Sequence, residues 1–192
     1  PSYTNDEIDA AIKSQDLADN FKIIKNVNNT DIAKLLSEGK IIGLMRGRME
    51  FGLRALGNRS IIADPSNPMV LDFINQKVKN RDFWMPFTPS LLDYRAKDYI
   101  KNDKNLYSPY MAMAFDSVEE NRKSFPAAMH PADKTVRPQI VEKEKNADYF
   151  ELIEEFEKLT GHGIVLNTSF NLHGNTVVLG PDDAIFTFLN SQ

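Results

Sequence analysis

The fold is decided between residues 43 and 64, which read GLMRGRMEFGLRALGNRSIIAD. Apolar runs at 41–45 and 61–63 predict two buried strands joined by a glycine-rich loop. Four arginines fall within fourteen residues of this stretch: Arg46, Arg48, Arg54 and Arg59. Each guanidinium can grip phosphate or carboxylate oxygens in pairs, and the glycines let backbone N–H groups approach the same ligand. The stretch therefore predicts a site for a multiply charged anion.

Composition limits the classes of protein to consider. The 192 residues suffice for one large domain or two small ones, and 42% hydrophobic and 26% charged residues are ordinary for a soluble globular protein. The absence of cysteine excludes disulfides and cysteine nucleophiles, and it fits a reducing, cytoplasmic location. No apolar run approaches the roughly 18 residues of a membrane span. The net charge of -4 makes nucleic acid an unlikely partner, so the basic stretch suits a small anion.

Helices and strands are predicted to alternate along the chain, which indicates an α/β fold or a closely mixed α+β fold. Capping residues and helical spacing predict helices that begin at Thr4 or Asn5, at Asn29 or Thr30, at Ser66 or Asn67, at Asn146 and at Pro181. Short apolar runs predict strands at 21–27, 41–45, 60–64, 91–94, 110–115, 140–141, 163–166 and 176–179.

Two further groups of polar residues are candidates for ligand contacts. Lys77, Lys79 and Arg81 end the helix that follows Ser66, where cations complement the helix dipole and are commonly solvated. The run NTSFN at residues 167–171 follows a buried strand, and loops at strand ends are where α/β sheets place ligands. From the residues alone, the basic helix end is more simply interpreted as solvated than as a binding group.

Several common motifs for nucleotide binding, nucleophilic hydrolysis and metal binding are missing. The sequence has no P-loop, no GxGxxG fingerprint and no GxSxG elbow. Its histidines, His130, His162 and His173, lie in irregular stretches without the i,i+4 spacing of a helical zinc site. What remains can bind anions and hydroxyls without a covalent nucleophile, which is what adenylyl or phosphoryl transfer needs.

Several motifs in order resemble one known family. GRMEFGLRALGNRSIIADP, INQKVKNRDFWMPFTPS, DKTVRPQ, TGHGIVLNTSFNLHGN and PDDAIFTF are similar to the C-terminal domain of the O-carbamoyltransferases of nodulation-factor and antibiotic pathways. The resemblance implies a YrdC-like fold, a twisted mixed sheet flanked by helices. It also implies that residues 29–192 form this domain, and that residues 1–28 are a lead-in from an N-terminal domain of the ASKHA type.

The resemblance also implies an activity. Such a domain forms carbamoyl-adenylate from carbamoyl phosphate and Mg²⁺-ATP with release of pyrophosphate, and an N-terminal domain with an iron-family metal then passes the carbamoyl group to a hydroxyl. The only metal expected in this domain is the Mg²⁺ carried by ATP. A threonylcarbamoyl-adenylate-type synthase of the same fold and a non-catalytic nucleotide- or RNA-binding module stay open as alternatives. The NTSFN and GLRALGNRS stretches favour the first activity.

The family's functional positions carry over motif by motif. The positions implied to be catalytic are Arg54, Arg59, Lys79 and Arg81. Those implied to bind nucleotide or phosphate are Asn58, Ser60, Ser90, Arg137, Asn167, Ser169 and Asn171. For Lys79 and Arg81, ligand contact thereby becomes the favoured interpretation. For Arg59→Ala we expect a loss of about 1.5–3 kcal/mol in ligand affinity with the fold retained.

The sequence departs from the family pattern at several positions within these motifs. Leu53 stands where proline is usual, Met85 where arginine is common, and Lys134 where glycine is expected. Asn175-Thr176 replaces Glu-Pro. We expect the Met85 departure to matter most, because it removes one positive charge from the phosphate site.

Overall fold

The computed structural model describes residues 2–15, 17, 20–80, 82 and 85–191, and they form a mixed α/β fold. The α-helices are α1 (Asn5–Ser14), α2 (Asn29–Ser37), α3 (Met69–Phe73), α4 (Ala96–Tyr99), α5 (Ala147–Thr160) and α6 (Pro181–Leu189). The strands are β1 (Ile42–Met45), β2 (Arg59–Ala63), β3 (Thr88–Leu92), β4 (Phe115–Asp116), β5 (Thr135–Val136), β6 (Gln139–Val141) and β7 (Ile164–Ser169). A π-helix, Ile74–Lys79, continues α3, and 3₁₀ turns cover Asp93–Arg95, Glu119–Ser124 and Pro126–Ala128.

The main sheet has the order β1-β2-β7-β3-β6, and β4 pairs with β5 separately. Only the β3–β6 pair is parallel, so the sheet is mixed and mostly antiparallel. The register sets Ser60 opposite Ser169 and Thr88 opposite Asn167. Polar side chains of β2, β3 and β7 are thereby neighbours at the centre of the sheet, far apart as they are in sequence.

Apolar faces of the helices build the core on both sides of the sheet. On one side, α5 buries Tyr149, Leu152 and Phe156 in a cluster that also receives Leu36 of α2. On the other side, the α3–π-helix segment contributes apolar residues, among them Ile74, that pack with those of β2 and β7. The predicted limits of α5 are confirmed, because Asn146 accepts the N–H of Tyr149 at its start and Gly161 ends it with φ of 78°.

The N-terminal residues contact the rest of the structure through α1. A reciprocal pair of bonds between Thr4 and Glu7 caps this helix, and α1 packs against α6 at the other end of the chain. Phe21 meets Phe188 edge to face, with 5.4 Å between ring centroids. Within the predicted lead-in, α1 and Phe21 therefore pack against α6.

Several predicted strands are wrong because apolar composition alone does not supply a pairing partner. Residues 21–27 form no strand, and Ile24 there is 59% exposed. Residues 176–179 also form no strand, although the N–H of Val178 donates to the carbonyl of Phe170. In the segment 110–115, only Phe115 belongs to a strand. The apolar residues of these segments, whether buried or exposed, therefore do not indicate a strand.

Other boundaries also differ from the prediction. The cap of α2 is Asn28 rather than Asn29 or Thr30. The strand predicted at 91–94 begins earlier, at Thr88, and ends at Leu92. β1 lies at the sheet edge and is not buried throughout: of its residues, only Leu44 is buried. A central strand and an edge strand can have the same apolar sequence pattern. Only the order in which the strands pair distinguishes the two positions.

Gly57 offers a direct test of how the loop between β1 and β2 meets the core. Its φ is 107°, and a Cβ built there would lie 2.3 Å from the Tyr149 ring. Gly57→Ala should therefore lower the free energy of unfolding by about 2–5 kcal/mol through backbone strain and overlap, as measured by urea denaturation. The matched control is Gly174→Ala, with φ of 79° and no heavy atom within 4 Å of the added Cβ. Equal losses in both variants would show that the Tyr149 contact is unimportant.

Candidate functional site

The loop between β1 and β2 is held from one side by the carboxylate of Glu50. Its Oε1 accepts the backbone N–H groups of Leu56 at 2.7 Å, Asn58 at 2.8 Å and Arg59 at 3.2 Å. A carboxylate oxygen that accepts from backbone N–H groups makes charge-assisted hydrogen bonds, which are stronger than neutral ones. Glu50 thereby ties the returning end of the loop to its beginning.

The guanidinium of Arg59 holds the same loop through its carbonyl groups. Arg59 is fully buried, and its Nη1 donates to the carbonyl oxygens of Arg46 and Asn58, both at 2.8 Å. Its Nε donates to the carbonyl of Leu179 at 3.3 Å. Burial lowers the pKa of Arg59, and the nearby charge of Glu50 opposes that shift. These donors face the protein backbone, so Arg59 supports the loop from within.

Asn58 and Ser60 also serve the loop itself. The Nδ2 of Asn58 donates to the carbonyl of Arg48 at 2.7 Å, and its Oδ1 accepts from the side chain of Asn146, the cap of α5, at 2.9 Å. Ser60 is fully buried and its Oγ accepts the N–H of Gly57 at 2.9 Å. The structure thus places both predicted binding residues in contacts that fix the loop.

A small cleft beside the loop brings four predicted residues together. Its volume is about 60 Å³, and its walls are formed by Leu53, Arg54, Ala55, Pro86, Phe87, Thr88, Met111, Arg137, Asn167, Thr168 and Ser169. Arg54 is exposed and Arg137 is half-buried. Two cations therefore face a wall of amide and hydroxyl groups, which is a suitable arrangement for phosphate oxygens.

A polar layer behind the cleft fixes Asn167. This residue is fully buried, and its Nδ2 donates to Ser90 Oγ at 2.9 Å and to the carbonyl of Ala55 at 3.2 Å. Ser90 Oγ donates in turn to Gln139 Oε1 at 2.7 Å, and Gln139 Nε2 reaches the carbonyl of Leu56 at 3.0 Å. Ser90 is thus a buried link between β3, β6 and β7, and the same layer holds the loop.

Lys79 forms a cluster with Ser169 and Asn171. The lysine is 2% exposed, and its Nζ lies 2.6 Å from the carbonyl oxygen of Ser169 and 2.6 Å from Oδ1 of Asn171. Ser169 Oγ donates to the same Oδ1 at 2.6 Å. Because Ser169 also lines the cleft, it connects the buried ammonium to that wall. Arg81, the other member of the predicted basic pair, lies outside the described residues.

Three residues of this region were not among the predicted site residues. Thr88 and Thr168 line the cleft, and the Oγ1 of Thr88 donates to the carbonyl of Asn167 at 3.1 Å. Glu50 organises the loop without lining the cleft. The sequence does carry a signal for Glu50, since it is the one acidic residue in the arginine-rich stretch before Asp64. Thr168 lies within the NTSFN run that the sequence offers as a candidate for ligand contacts, whereas nothing in the local pattern distinguishes Thr88.

A larger cavity of about 1010 Å³ lies elsewhere, between β1, α3 and α6. Its walls are mainly apolar, with Phe73, Phe170 and Phe188 among them, and none of the predicted site residues that the structure describes lines it. A phosphate needs several converging donors, so we place the candidate anion site at the smaller cleft.

Within the described ranges, His, Asp and Glu form no group of three or more that could hold a metal ion. In the same residues, no helix combines the length and apolar character that crossing a bilayer requires.

Comparison with known proteins gives a consistent assignment. Residues 33–192 match the family model described as carbamoyltransferase C-terminus. An uncharacterized protein of Methanocaldococcus jannaschii is 41% identical over 192 residues, which are 99% of this chain and 31% of the relative. Nodulation protein NolNO of Sinorhizobium fredii is 40% identical over 161 residues, 83% of this chain and 24% of that protein. The chain thus spans about a third or less of these relatives.

The fold comparison agrees with the predicted class. Full-length HypF, solved in a phosphate- and nucleotide-bound form, matches with a TM-score of 0.63 and 15% identity, over 88% of this chain and 20% of HypF. This likeness shows the fold alone. The predicted YrdC-like class, with a mixed sheet flanked by helices, is confirmed.

Arg59→Ala tests whether this arginine supports the loop. Because the substitution leaves the carbonyls of Arg46 and Asn58 without their charged donor, we expect a loss of about 2–4 kcal/mol in unfolding free energy, measured by urea denaturation. Arg48→Ala, an exposed arginine of the same loop, should change stability by no more than about 0.5 kcal/mol. An Arg59→Ala variant as stable as the wild type would contradict the supporting role.

Proposed function

Since this chain belongs to the carbamoyltransferase C-terminus family, we propose that it forms carbamoyl-adenylate for transfer to a hydroxyl acceptor. The observation that carries the proposal is the convergence of Arg54 and Arg137 on one cleft with Asn167, Thr168 and Ser169. Two guanidiniums beside amides and hydroxyls suit a substrate with several phosphate oxygens, and both ATP and carbamoyl phosphate are of this kind.

The proposed roles of the cleft residues follow from the chemistry of their side chains. In the proposed complex, Arg54 and Arg137 bind phosphate oxygens and offset the charge that develops there during transfer. Thr168 and Ser169 give hydrogen bonds that orient the substrate, Asn167 holds the cleft wall from behind, and the buried Lys79 adds a positive charge behind Ser169. Arg81 lies two positions after Lys79 in the sequence. Its proposed role in binding phosphate rests on the family pattern alone. Mg²⁺ enters with ATP.

The reaction balances without a covalent enzyme intermediate. Water releases inorganic phosphate from carbamoyl phosphate and leaves carbamate. A carbamate oxygen then attacks the α-phosphorus of ATP, the bond to the β-phosphate oxygen breaks, and pyrophosphate leaves. In such a transfer the protein mainly positions the reactants and stabilises charge on phosphate oxygens. That matches a site rich in arginines, amides and hydroxyls.

In this proposal, the remaining steps take place outside the segment that matches the relatives. The relatives are about three to four times as long as the matched segment, which covers 31% and 24% of their lengths. We propose that another domain of the same polypeptide, of the ASKHA type and with an iron-family metal, receives the carbamoyl-adenylate. The acceptor hydroxyl would be bound there.

Two departures from the family pattern lie at or beside the cleft. Leu53 is 82% exposed in its wall, and Met85 is 37% exposed next to Pro86, which also lines it. Leu53 stands where the family has proline, so the loop is less rigid, and Met85 stands where the family has arginine. We propose that they weaken phosphate binding relative to other family members, because Met85 contributes no charge.

The proposed reaction predicts release of pyrophosphate when the chain is incubated with Mg²⁺-ATP and carbamoyl phosphate. Release should require both substrates and should be measured with a coupled pyrophosphate assay. ATP binding without release would favour a nucleotide-binding module. Release with threonine and bicarbonate in place of carbamoyl phosphate would favour a threonylcarbamoyl-adenylate synthase. Absence of ATP binding would contradict the proposal.

Arg54→Ala should weaken binding of Mg²⁺-ATP or carbamoyl phosphate by about 1.5–3 kcal/mol, roughly 10- to 150-fold, since one charge-assisted contact is lost. Isothermal titration calorimetry measures the effect. Arg48→Ala is the matched control: it removes an exposed arginine of the same loop that does not line the cleft. Equal losses in the two variants would indicate a general effect of charge rather than a contact at this cleft.

A further inference from the structure

The acid in the arginine loop closes that loop on itself. Residues 51–55 connect Glu50 to Leu56. The N–H of Leu56 donates to the Glu50 carboxylate at 2.7 Å, so the two ends of this segment lie together. The tip between these two points is open: Phe51 and Leu53 are exposed, and Gly52 has φ of 122° with no neighbour within 4 Å of a built Cβ. Arg54 belongs to this tip and reaches the cleft. Its position therefore depends on how firmly the two ends are joined.

The returning end is held at its N–H and its carbonyl groups. The N–H groups of Leu56, Asn58 and Arg59 converge on a single oxygen of Glu50. The carbonyls of Ala55 and Leu56 accept from Asn167 and Gln139, at 3.2 Å and 3.0 Å. Ala55 lies directly after Arg54, so the residue that binds the anion is attached to a backbone with little freedom. Of these groups, Glu50 is the one that supplies a negative charge.

We propose that Glu50 is a positioning residue: by closing the loop it presents Arg54 to the phosphate-bearing substrate. The proposal rests on the proposed function, because it takes the cleft to be the phosphate site. Glu50 does not touch the substrate. Its carboxylate accepts the hydrogen bonds that three backbone N–H groups would otherwise make with water. Because the loop is then ordered before the substrate binds, less conformational entropy is lost on binding.

A competing interpretation makes the opposite prediction. Converging backbone N–H groups form an anion-binding concavity, and Glu50 could fill it in the place of a ligand phosphate. In that case removal of the carboxylate would free the concavity, and anions would bind more tightly. If Glu50 positions Arg54, its removal weakens binding instead. The sign of the change distinguishes the two.

The experiment compares Glu50→Ala and Glu50→Gln in this chain, with pyrophosphate, Mg²⁺-ATP and carbamoyl phosphate as probes in calorimetry. We expect Glu50→Ala to weaken pyrophosphate binding by about tenfold, and Glu50→Gln to have a smaller effect because its amide oxygen still accepts hydrogen bonds. Amide hydrogen exchange at Leu56, Asn58 and Arg59 should speed up in both. The matched control is Glu7→Ala, since Glu7 accepts the N–H of Thr4 at 2.7 Å in the cap of α1. It should leave all three affinities unchanged.

A double-mutant cycle tests whether Glu50 acts through Arg54. If it does, Glu50→Ala added to Arg54→Ala should weaken pyrophosphate binding by less than about twofold further. Each of three results would overturn the proposal: full additivity of the two losses in pyrophosphate affinity, tighter pyrophosphate binding in Glu50→Ala, or unchanged amide exchange at Leu56, Asn58 and Arg59. Should Glu50→Ala fail to fold, Glu50→Gln in both Arg54 backgrounds gives the same cycle.

Failure of the proposed function has a different signature. A wild-type chain that binds pyrophosphate through Arg54 but releases none from ATP contradicts the adenylation reaction and leaves the Glu50 cycle measurable. A wild-type chain that binds none of the three probes contradicts both proposals. A wild-type chain that is active and a Glu50→Ala variant with unchanged affinities contradict the Glu50 proposal alone.

Discussion

The site depends on two oppositely charged side chains, Arg59 and Glu50, that both hydrogen-bond to the backbone of one loop. Arg59 is fully buried and donates to carbonyls of the loop, whereas Glu50 accepts its N–H groups from the other side. A buried guanidinium is costly unless its donors are satisfied, and an unpaired backbone N–H in the interior is costly as well. Each charged group therefore satisfies polar groups that the loop exposes, and each lies near the other. The loop gains a defined shape without being part of a helix or strand.

That shape joins the loop to the centre of the sheet. Asn167 on β7 holds the carbonyl of Ala55, and Gln139 on β6 holds the carbonyl of Leu56. Both also contact Ser90 on β3, so three strands and the loop share one buried polar layer. Such a layer is stable only when its members are largely satisfied, which ties the position of the cleft wall to correct pairing of the strands. The division of roles follows: Arg54 and Arg137 face the cleft, while Arg59, Asn58, Ser60 and Ser90 support it.

Sequence reasoning identified the motifs but did not separate these two roles. All of these residues lie in motifs that resemble those of the family, and a motif does not record what a residue touches. Glu50 was overlooked because a single acid among arginines suggests local charge balance. Thr88 and Thr168 reach the cleft only because the β3–β7 and β2–β7 pairings bring their strands together. The strands predicted at 21–27 and 176–179 failed for a related reason, since pairing partners are not encoded in a local apolar run.

The sequence by itself determined the family, the mixed α/β class and the limits of α5. These follow from local periodicity, capping residues and ordered motifs, which are properties of neighbouring residues. Only the tertiary structure decided the strand order, the edge position of β1, the burial of Arg59 and the assembly of Arg54, Arg137 and Ser169 around one cleft. The physical reason is that burial and long-range hydrogen bonds depend on which segments pack together. An arginine that binds a ligand and an arginine that binds the backbone have the same side chain, and only their surroundings distinguish them.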